Sequence, residues 1–433
     1  MSRPNSAAFA GGDRSVAAAA PGATAALPQR LLNFVLFVTV LLSSIAFIEP
    51  SPHDVLMLLL LLTCIGAHVR FDRKLAPLLV LLTVWLVGGC LSLMQVGDQK
   101  QNIQYIGTSF YLAAAGIIFA CLFCDGNLLR LAIVRRAYLV AALVATAAGY
   151  IGFFHLLPHS DIFLDNDRVS ATFKDPNVYA PFLIFPVLML LIDLMMRGVR
   201  FSDLIILAVL LGGLVLSFSR GAWGHLAISA AVMIVLLLIT TPDRHMRGRV
   251  LLLSFGALVA MALLLLIALM LVPSVHDLFL ERAKAIQPYD VGPGGRFWEQ
   301  KLALSVILDH PNGLGPFEFS RLYGSQQHDV YMQGFLVYGW LGGAAYLAVV
   351  VVTLGVGLRA AVVPAPWQAY LIAAYAGFVG EAFEGLIVDT DHWRHFFLLL
   401  GMIWGLTAAT INLHSRAQHS DVEKVSDMLP NPL

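Results

Sequence analysis

"LIILAVLLGGLVLSFSRGAWGHLAISAAVMIVLLLIT", residues 204 to 240, is two long apolar runs with one arginine, Arg220, and barely a loop between them. An apolar run of about 20 residues crosses the hydrocarbon core of a bilayer as an α-helix. The rest of the chain repeats this pattern. Of its 433 residues, 59% are hydrophobic and 12% charged, and the mean hydropathy of +0.79 lies outside the range of soluble domains. About twelve such windows can be marked, over 31–49, 54–69, 75–94, 103–124, 137–157, 177–196, 203–218, 222–240, 250–273, 329–357, 367–385 and 394–413. The expected fold is all-α and polytopic, because backbone facing lipid must satisfy its own hydrogen bonds.

Residues 1–30, rich in Ala, Gly, Pro and Ser, read as a disordered tail without a signal-peptide cleavage pattern, and 414–433 as a short polar tail. Between them, 31–413 reads as one transmembrane domain with a long loop, 274–328, inserted. Most of the 27 Lys and Arg fall on one side if both termini are cytoplasmic, in clusters such as Arg70, Arg73 and Lys74; Arg130, Arg135 and Arg136; and Arg244, Arg247 and Arg249. Arg220, His328 and the long loop then face the periplasm of an inner membrane. The zero formal net charge gives no reason to expect a nucleic-acid partner. Cys64, Cys90, Cys121 and Cys124 lie in or beside apolar windows, so a disulfide framework is not expected. The CxxC spacing of the last two lacks a second pair or a histidine, and packing is the expected role.

Four places on the outer side carry polar chemistry. In "DNDRVSATFKDPNVYA", 165–180, Arg168 and Lys174 lie among acids before a helix start; a substrate contact or a solvated loop with a helix cap both fit. In "LSFSRGAWG", 216–224, Arg220 is either functional or an interfacial residue whose charge snorkels to water. In "GPGGRFWEQKLALSVILDHPNGLGPFEF", 292–319, a helix is expected from Arg296, with Phe297, Leu304 and Leu308 on one face for packing or substrate. It is too short and polar to span, and should lie on the membrane surface or against other loops. In "SQQHDVYMQGFLVYGWLGG", 325–343, His328 opens a span as a cap or as an acid/base group, and the glycines permit close helix packing.

Together and in this order, these elements resemble the O-antigen ligase and O-antigen polymerase family of membrane glycosyltransferases. The likeness runs from about Arg168 to Gly343. Arg168 before "TFKDPN" is similar to the family's Arg followed by Phe-x-x-Pro-Asn; "SRGAW" at 219–223 to its Ser-Arg-Gly; "GGRFWEQ" and "HPNGLGPFEF" to its periplasmic-loop motifs; and "HDVYMQGFLVYGWLGG" to its His-Asn-x-Tyr-Leu. Asp329 stands where the family commonly has asparagine, and Trp298 follows Arg296 more closely than in many relatives.

The resemblance implies transfer of a glycan from a polyprenyl diphosphate carrier to an acceptor sugar hydroxyl on another glycan or a lipid core, with polymerase favoured over ligase. Other polysaccharide assembly proteins would be its partners. Arginines suit the departing diphosphate because they stay protonated and offer a planar fork of donors. Arg220 and Arg296 are the first choices, with Arg168, Lys174, Asn177, Asp329 and Tyr331 as substrate contacts. No Asp-x-Asp pair or acid/His ligand spacing appears among the outer residues, so neither a metal nor another cofactor is expected. His328 is the base for the acceptor hydroxyl. Two further features have bland readings. Glu381 and Glu384 read as solvated groups or partners of the arginines, with a glycosidase-like acid/base pair as the alternative. Asp389, His392 and His395 read as an interfacial anchor built around Trp393 and Arg394, rather than a metal site. The rival classes are a transporter and a non-catalytic scaffold of an export complex.

Overall fold

A computed structural model describes residues 23–48, 50–96, 100–271 and 295–428. It is 79% helical with almost no sheet. Along the chain run α1 (Ala23–Leu41), α2 (Pro52–Gly66), α3 (Ala76–Val96), α4 (Lys100–Phe123), α5 (Leu128–Phe153), α6 (Pro176–Phe182), α7 (Ile184–Met196), α8 (Phe201–Leu216), α9 (Arg220–Thr240) and α10 (Arg244–Leu271). They are followed by α11 (Arg296–Asp309), α12 (Glu318–Tyr323), α13 (Val330–Ala361), α14 (Gln368–Glu384) and α15 (Arg394–Met428). Two-residue strands β1 (Leu164–Asp165) and β2 (Arg168–Val169) pair antiparallel between α5 and α6.

Within the described residues the apolar windows marked in the sequence fall on these helices, the sixth, 177–196, being divided between α6 and α7. Among the described residues, seven helices are long and apolar enough to cross a membrane by length and composition. The chain is a multi-pass helical membrane protein. Its outer surface agrees: Val55, Leu58, Leu62 and Ile65 of α2 are exposed at helical spacing, as a lipid-facing stripe should be. The window through α6 and α7, by contrast, is 94% buried and forms the centre of the bundle.

The boundaries differ from expectation at both ends. α1 begins at Ala23, inside the segment expected to be disordered, and α15 continues to Met428 through the expected polar tail. The first part of the long loop, with all but the last glycine of the Gly-Pro-Gly-Gly stretch, lies outside the described residues.

α13 is interrupted one third of the way along, where Gly339 adopts φ 69° and ψ −176°, a conformation open to glycine but not to residues with a Cβ. The turn 310–315 fills the break. Trp340 N donates to Pro311 O at 2.8 Å, Leu314 N to Leu336 O at 2.7 Å, and the Trp340 indole to Ile307 O at 2.8 Å. The "HPNGLG" turn is thus a plug in a broken helix, which ties α11 to α13. Below the break, Gly342 meets Gly88 of α3 so closely that a Cβ on Gly88 would lie 2.6 Å from Gly342 Cα. That is the close packing expected of the "GWLGG" glycines.

Candidate functional site

The hairpin β1–β2 turns through Asn166 and Asp167, both at positive φ (48° and 60°), residue types that tolerate the left-handed region. It delivers Arg168 to the start of α9. Arg168 Nε donates to Ser217 O at 2.9 Å and its Nη2 to Asn177 Oδ1 at 3.0 Å. Asn177 Oδ1 also accepts from Ser219 Oγ at 2.8 Å. Ser219 is the N-cap of α9, accepting from Ala222 N at 3.3 Å, and Asp175 caps α6, accepting from Asn177 N at 2.7 Å. So Arg168, Asn177 and the Ser-Arg-Gly turn, far apart in sequence, form one hydrogen-bonded unit. Arg220, the first residue of α9, is half-buried, and Lys174 is exposed on the turn before α6.

Gly221 lies directly against the end of α14. A Cβ there would sit 2.7 Å from Glu384 Oε1. Glu384 Oε2 contacts His225 Nδ1 at 2.8 Å, while His225 Nε2 is 2.9 Å from Gly377 O. A carbonyl can only accept, so Nε2 carries a proton, and the Nδ1 contact needs one more proton on either the imidazole or the carboxyl. One helical turn away, Glu381 lies 3.3 Å from His395 Nε2. Both glutamates and both histidines are buried, which overturns the expectation of solvated carboxylates. Their described partners are histidines on the neighbouring helices α9 and α15. "GEAFEG" carries a signal of this, since acids in an apolar helix are rarely idle, but the sequence holds no hint of which helix faces them.

The same end of α14 receives the His328 segment. Val330 N donates to Gly385 O at 2.8 Å, Tyr331 OH to Ala382 O at 2.6 Å, and Gln300 of α11 to Leu386 O at 3.3 Å. Asp329 is the N-cap of α13, accepting from Tyr331 N at 2.9 Å and Met332 N at 3.0 Å; burial raises its pKa, opposed by those two bonds. His328 is exposed, with Nδ1 3.8 Å from Asp389 Oδ2. Asp389 Oδ1 is buried with no hydrogen-bond partner among the described residues. Burial accordingly pushes the Asp389 carboxyl up to about 6; nearby Asp391 and Asp329 add to the rise, and His328 opposes it.

Asp391 and His392 turn inward rather than toward a membrane surface. Tyr105 OH donates to Asp391 Oδ2 at 2.9 Å, and Ser109 Oγ lies 2.9 Å from His392 Nε2. Trp393 is buried, and Arg394 pairs with Asp54 at 3.1 Å, so the expected interfacial anchor is instead a set of helix-to-helix contacts. Among the described residues, no group of three or more His, Cys, Asp or Glu is placed to hold a metal ion. Arg296 stands at the first residue of α11; its side chain and that of Phe297 lie outside the described ones. Leu304 and Leu308 are 52% and 63% exposed, so the stripe expected to pack faces outward, and α11 packs instead through Ala303, Val306 and Ile307.

One large cavity adjoins this site. About 530 Å³ in volume and almost wholly apolar, it lies among α7, α8, α9 and α10, walled by Leu191, Met195, Leu214, Trp223, Ala230 and Phe255. Trp223 is one turn along α9 from Arg220.

No family model matches the chain, and no curated protein aligns with it. The fold and site define a multi-pass helical membrane protein with a cluster of arginine, histidine and carboxylate chemistry at one end of its bundle. The likeness to the ligase and polymerase family is carried by the four motifs alone.

Proposed function

We propose that this chain is a glycosyltransferase of the O-antigen ligase and polymerase type, with twelve spans, both termini cytoplasmic, and its site at the periplasmic face of a bacterial inner membrane. The observation that carries this reading is that three motif segments, 168–177, 217–221 and 327–331, gather around residues 381–389 at the end of α14. The apolar cavity beside α9 supports it, because a polyprenyl carrier needs a dry groove for its chain next to a cationic site for its diphosphate.

In this reading Arg220, with Arg296, holds the diphosphate while an acceptor hydroxyl attacks the anomeric carbon from the opposite face. The bond to the diphosphate oxygen breaks, the new glycosidic bond forms with inversion, and the hydroxyl proton passes to His328. Asp389 faces His328 and stabilises the imidazolium that results. Arg168 and Asn177 brace the Ser-Arg-Gly turn, and Lys174 and Tyr331 serve as further substrate contacts. The acceptor is a glycan or a lipid core, with polymerase favoured over ligase.

A strain lacking the gene tests the reading. Surface glycan is expected to shorten or disappear while carrier-linked oligosaccharide accumulates, and the accumulating species separates polymerisation from ligation. Normal glycan together with an unchanged carrier-linked pool rejects it. A proton-coupled transporter is the second reading, favoured by the buried Glu381, Glu384, His225 and His395; it predicts that the carrier-linked glycan stays on the cytoplasmic leaflet.

The rate should also follow Asp389. Its carboxylate form is present above pH about 6 and is lost as pH falls through that value. The acid limb is therefore expected to lose one proton's worth of slope in Asp389→Asn, with a rate about tenfold lower on the plateau. Stability runs the other way: the neutral carboxyl favours the fold at low pH, and that contribution is lost as pH rises through about 6. An acid limb of the same slope in both proteins removes Asp389 from the mechanism.

A further inference from the structure

α11 has two faces with different fates. Ala303, Val306 and Ile307 are buried against Phe319 and Leu336, whereas Leu304 and Leu308, one turn apart, share an exposed stripe flanked by Lys301. Trp298 is also exposed, 45%. Ser305 and Asp309, exposed and polar, lie beyond Lys301 on that same flank, in one row with it.

The height of this helix in the bundle follows from two independent rulers. From Arg359, an exposed charge near the far end of α13, up to Trp340 is an unbroken run of 20 residues. At about 1.5 Å per residue this is about 30 Å, the thickness of a bilayer's hydrocarbon core. Trp340 and Leu341 are 46% and 50% exposed, and the Trp340 indole is the group bonded to Ile307 of α11. The second ruler is α3, whose 21 residues span about 31 Å. Its last residue, Val96, is the side chain that Gly315 of the α11 turn packs upon. Both rulers place the C-terminal end of α11 at the boundary between hydrocarbon and headgroups, next to an exposed tryptophan of the kind that marks such boundaries.

We propose that α11 is an interfacial helix, clamped on one side to α13 and resting its Leu304 and Leu308 stripe in the upper acyl region of the leaflet on the site's side. The occupant of the exposed stripe is membrane phospholipid. Leucine pairs with a neighbouring lysine and tryptophan suit that environment, the apolar groups in the acyl region and the ammonium among headgroup phosphates. The lipid-facing surface of α13 continues into it through Trp340 and Leu341. The inference stands on exposure and height, independently of the transferase reading.

Photo-crosslinking tests it in the otherwise native full-length protein. A benzophenone amino acid is introduced singly at 304, 308, 305 or 309, and each protein is reconstituted into phosphatidylethanolamine and phosphatidylglycerol vesicles. Positions 304 and 308 are expected to give about tenfold more phospholipid adduct than 305 and 309. Equal and low adduct at all four positions overturns the proposal, and so does crosslinking of 304 and 308 to a second copy of the chain instead of lipid. Because one substitution can disturb the fold, Leu304→Gln/Leu308→Gln provides a second measure. In it the benzophenone at 301 should lose most of its lipid adduct while the protein stays monodisperse; an unchanged adduct at 301 also counts against the proposal.

Discussion

Arg220→Ala is expected to lower glycan transfer from a polyprenyl diphosphate donor about 100- to 1000-fold. The size follows from charge. A diphosphate leaving group is stabilised by fixed cations in a poorly hydrated site, and removing one such donor costs about two to three powers of ten. The variant retains the Ser219 cap of α9 and the Arg168–Asn177–Ser219 bonds, and the rate is taken per folded protein. Arg220→Lys should restore only a small part of the rate, since an ammonium cannot grip two phosphate oxygens in a plane. Initial rates in proteoliposomes with a defined lipid-linked donor provide the measurement. A rate for Arg220→Ala within about threefold of wild type would falsify the assignment of the donor site to the Ser-Arg-Gly turn.

Gly339→Ala is expected to be lost at the level of folding rather than chemistry. The φ and ψ of Gly339 exclude a Cβ, and one placed there would lie 2.7 Å from the carbonyl carbon of Asn312. Backbone strain alone contributes about 1–3 kcal/mol, and expelling the 310–315 turn would also break its bonds to α13. The variant should therefore melt well below wild type in detergent and become sensitive to proteolysis between α11 and α12. Gly355→Ala is the control. Gly355 lies in regular helix on the same α13, and a methyl group added there would meet nothing within 4 Å, so a neutral or slightly stabilising effect of up to about 1 kcal/mol is expected. Equal melting points for the two variants would show that the break at Gly339 is not required.

Local features of this chain are legible in its sequence. Hydropathy locates the helices because lipid demands a long apolar surface from each crossing segment, whatever its neighbours are. The start of α11 at Arg296 and of α6 at Pro176 are legible for the same local reason: Gly-Gly and Asp-Pro-Asn are strong helix-boundary signals. The direction in which a side chain faces is a different matter. Spacing makes Leu304 and Leu308 a packing stripe, yet in α11 the smaller Ala303 meets the core, because the docked turn and Trp340 fix which face α11 presents. Composition makes Trp393 and Arg394 an anchor, yet their partners come from α2 and the bundle interior.

By itself, the amino-acid order determined that this is an all-helical chain built for a bilayer, where the polar punctuation falls, and which residues carry a charge or an exchangeable proton. Only the tertiary structure decided that Arg168 and Asn177 brace the Ser-Arg-Gly turn, that Glu384 closes on Gly221 and His225, and that Asp389 faces His328. The reason is physical. Helix formation is set by interactions within a few residues, whereas Glu384 and His225 are 159 positions apart. Their meeting depends on the close approach of α9 and α14 at Gly380, a property of the packed bundle and not of either segment.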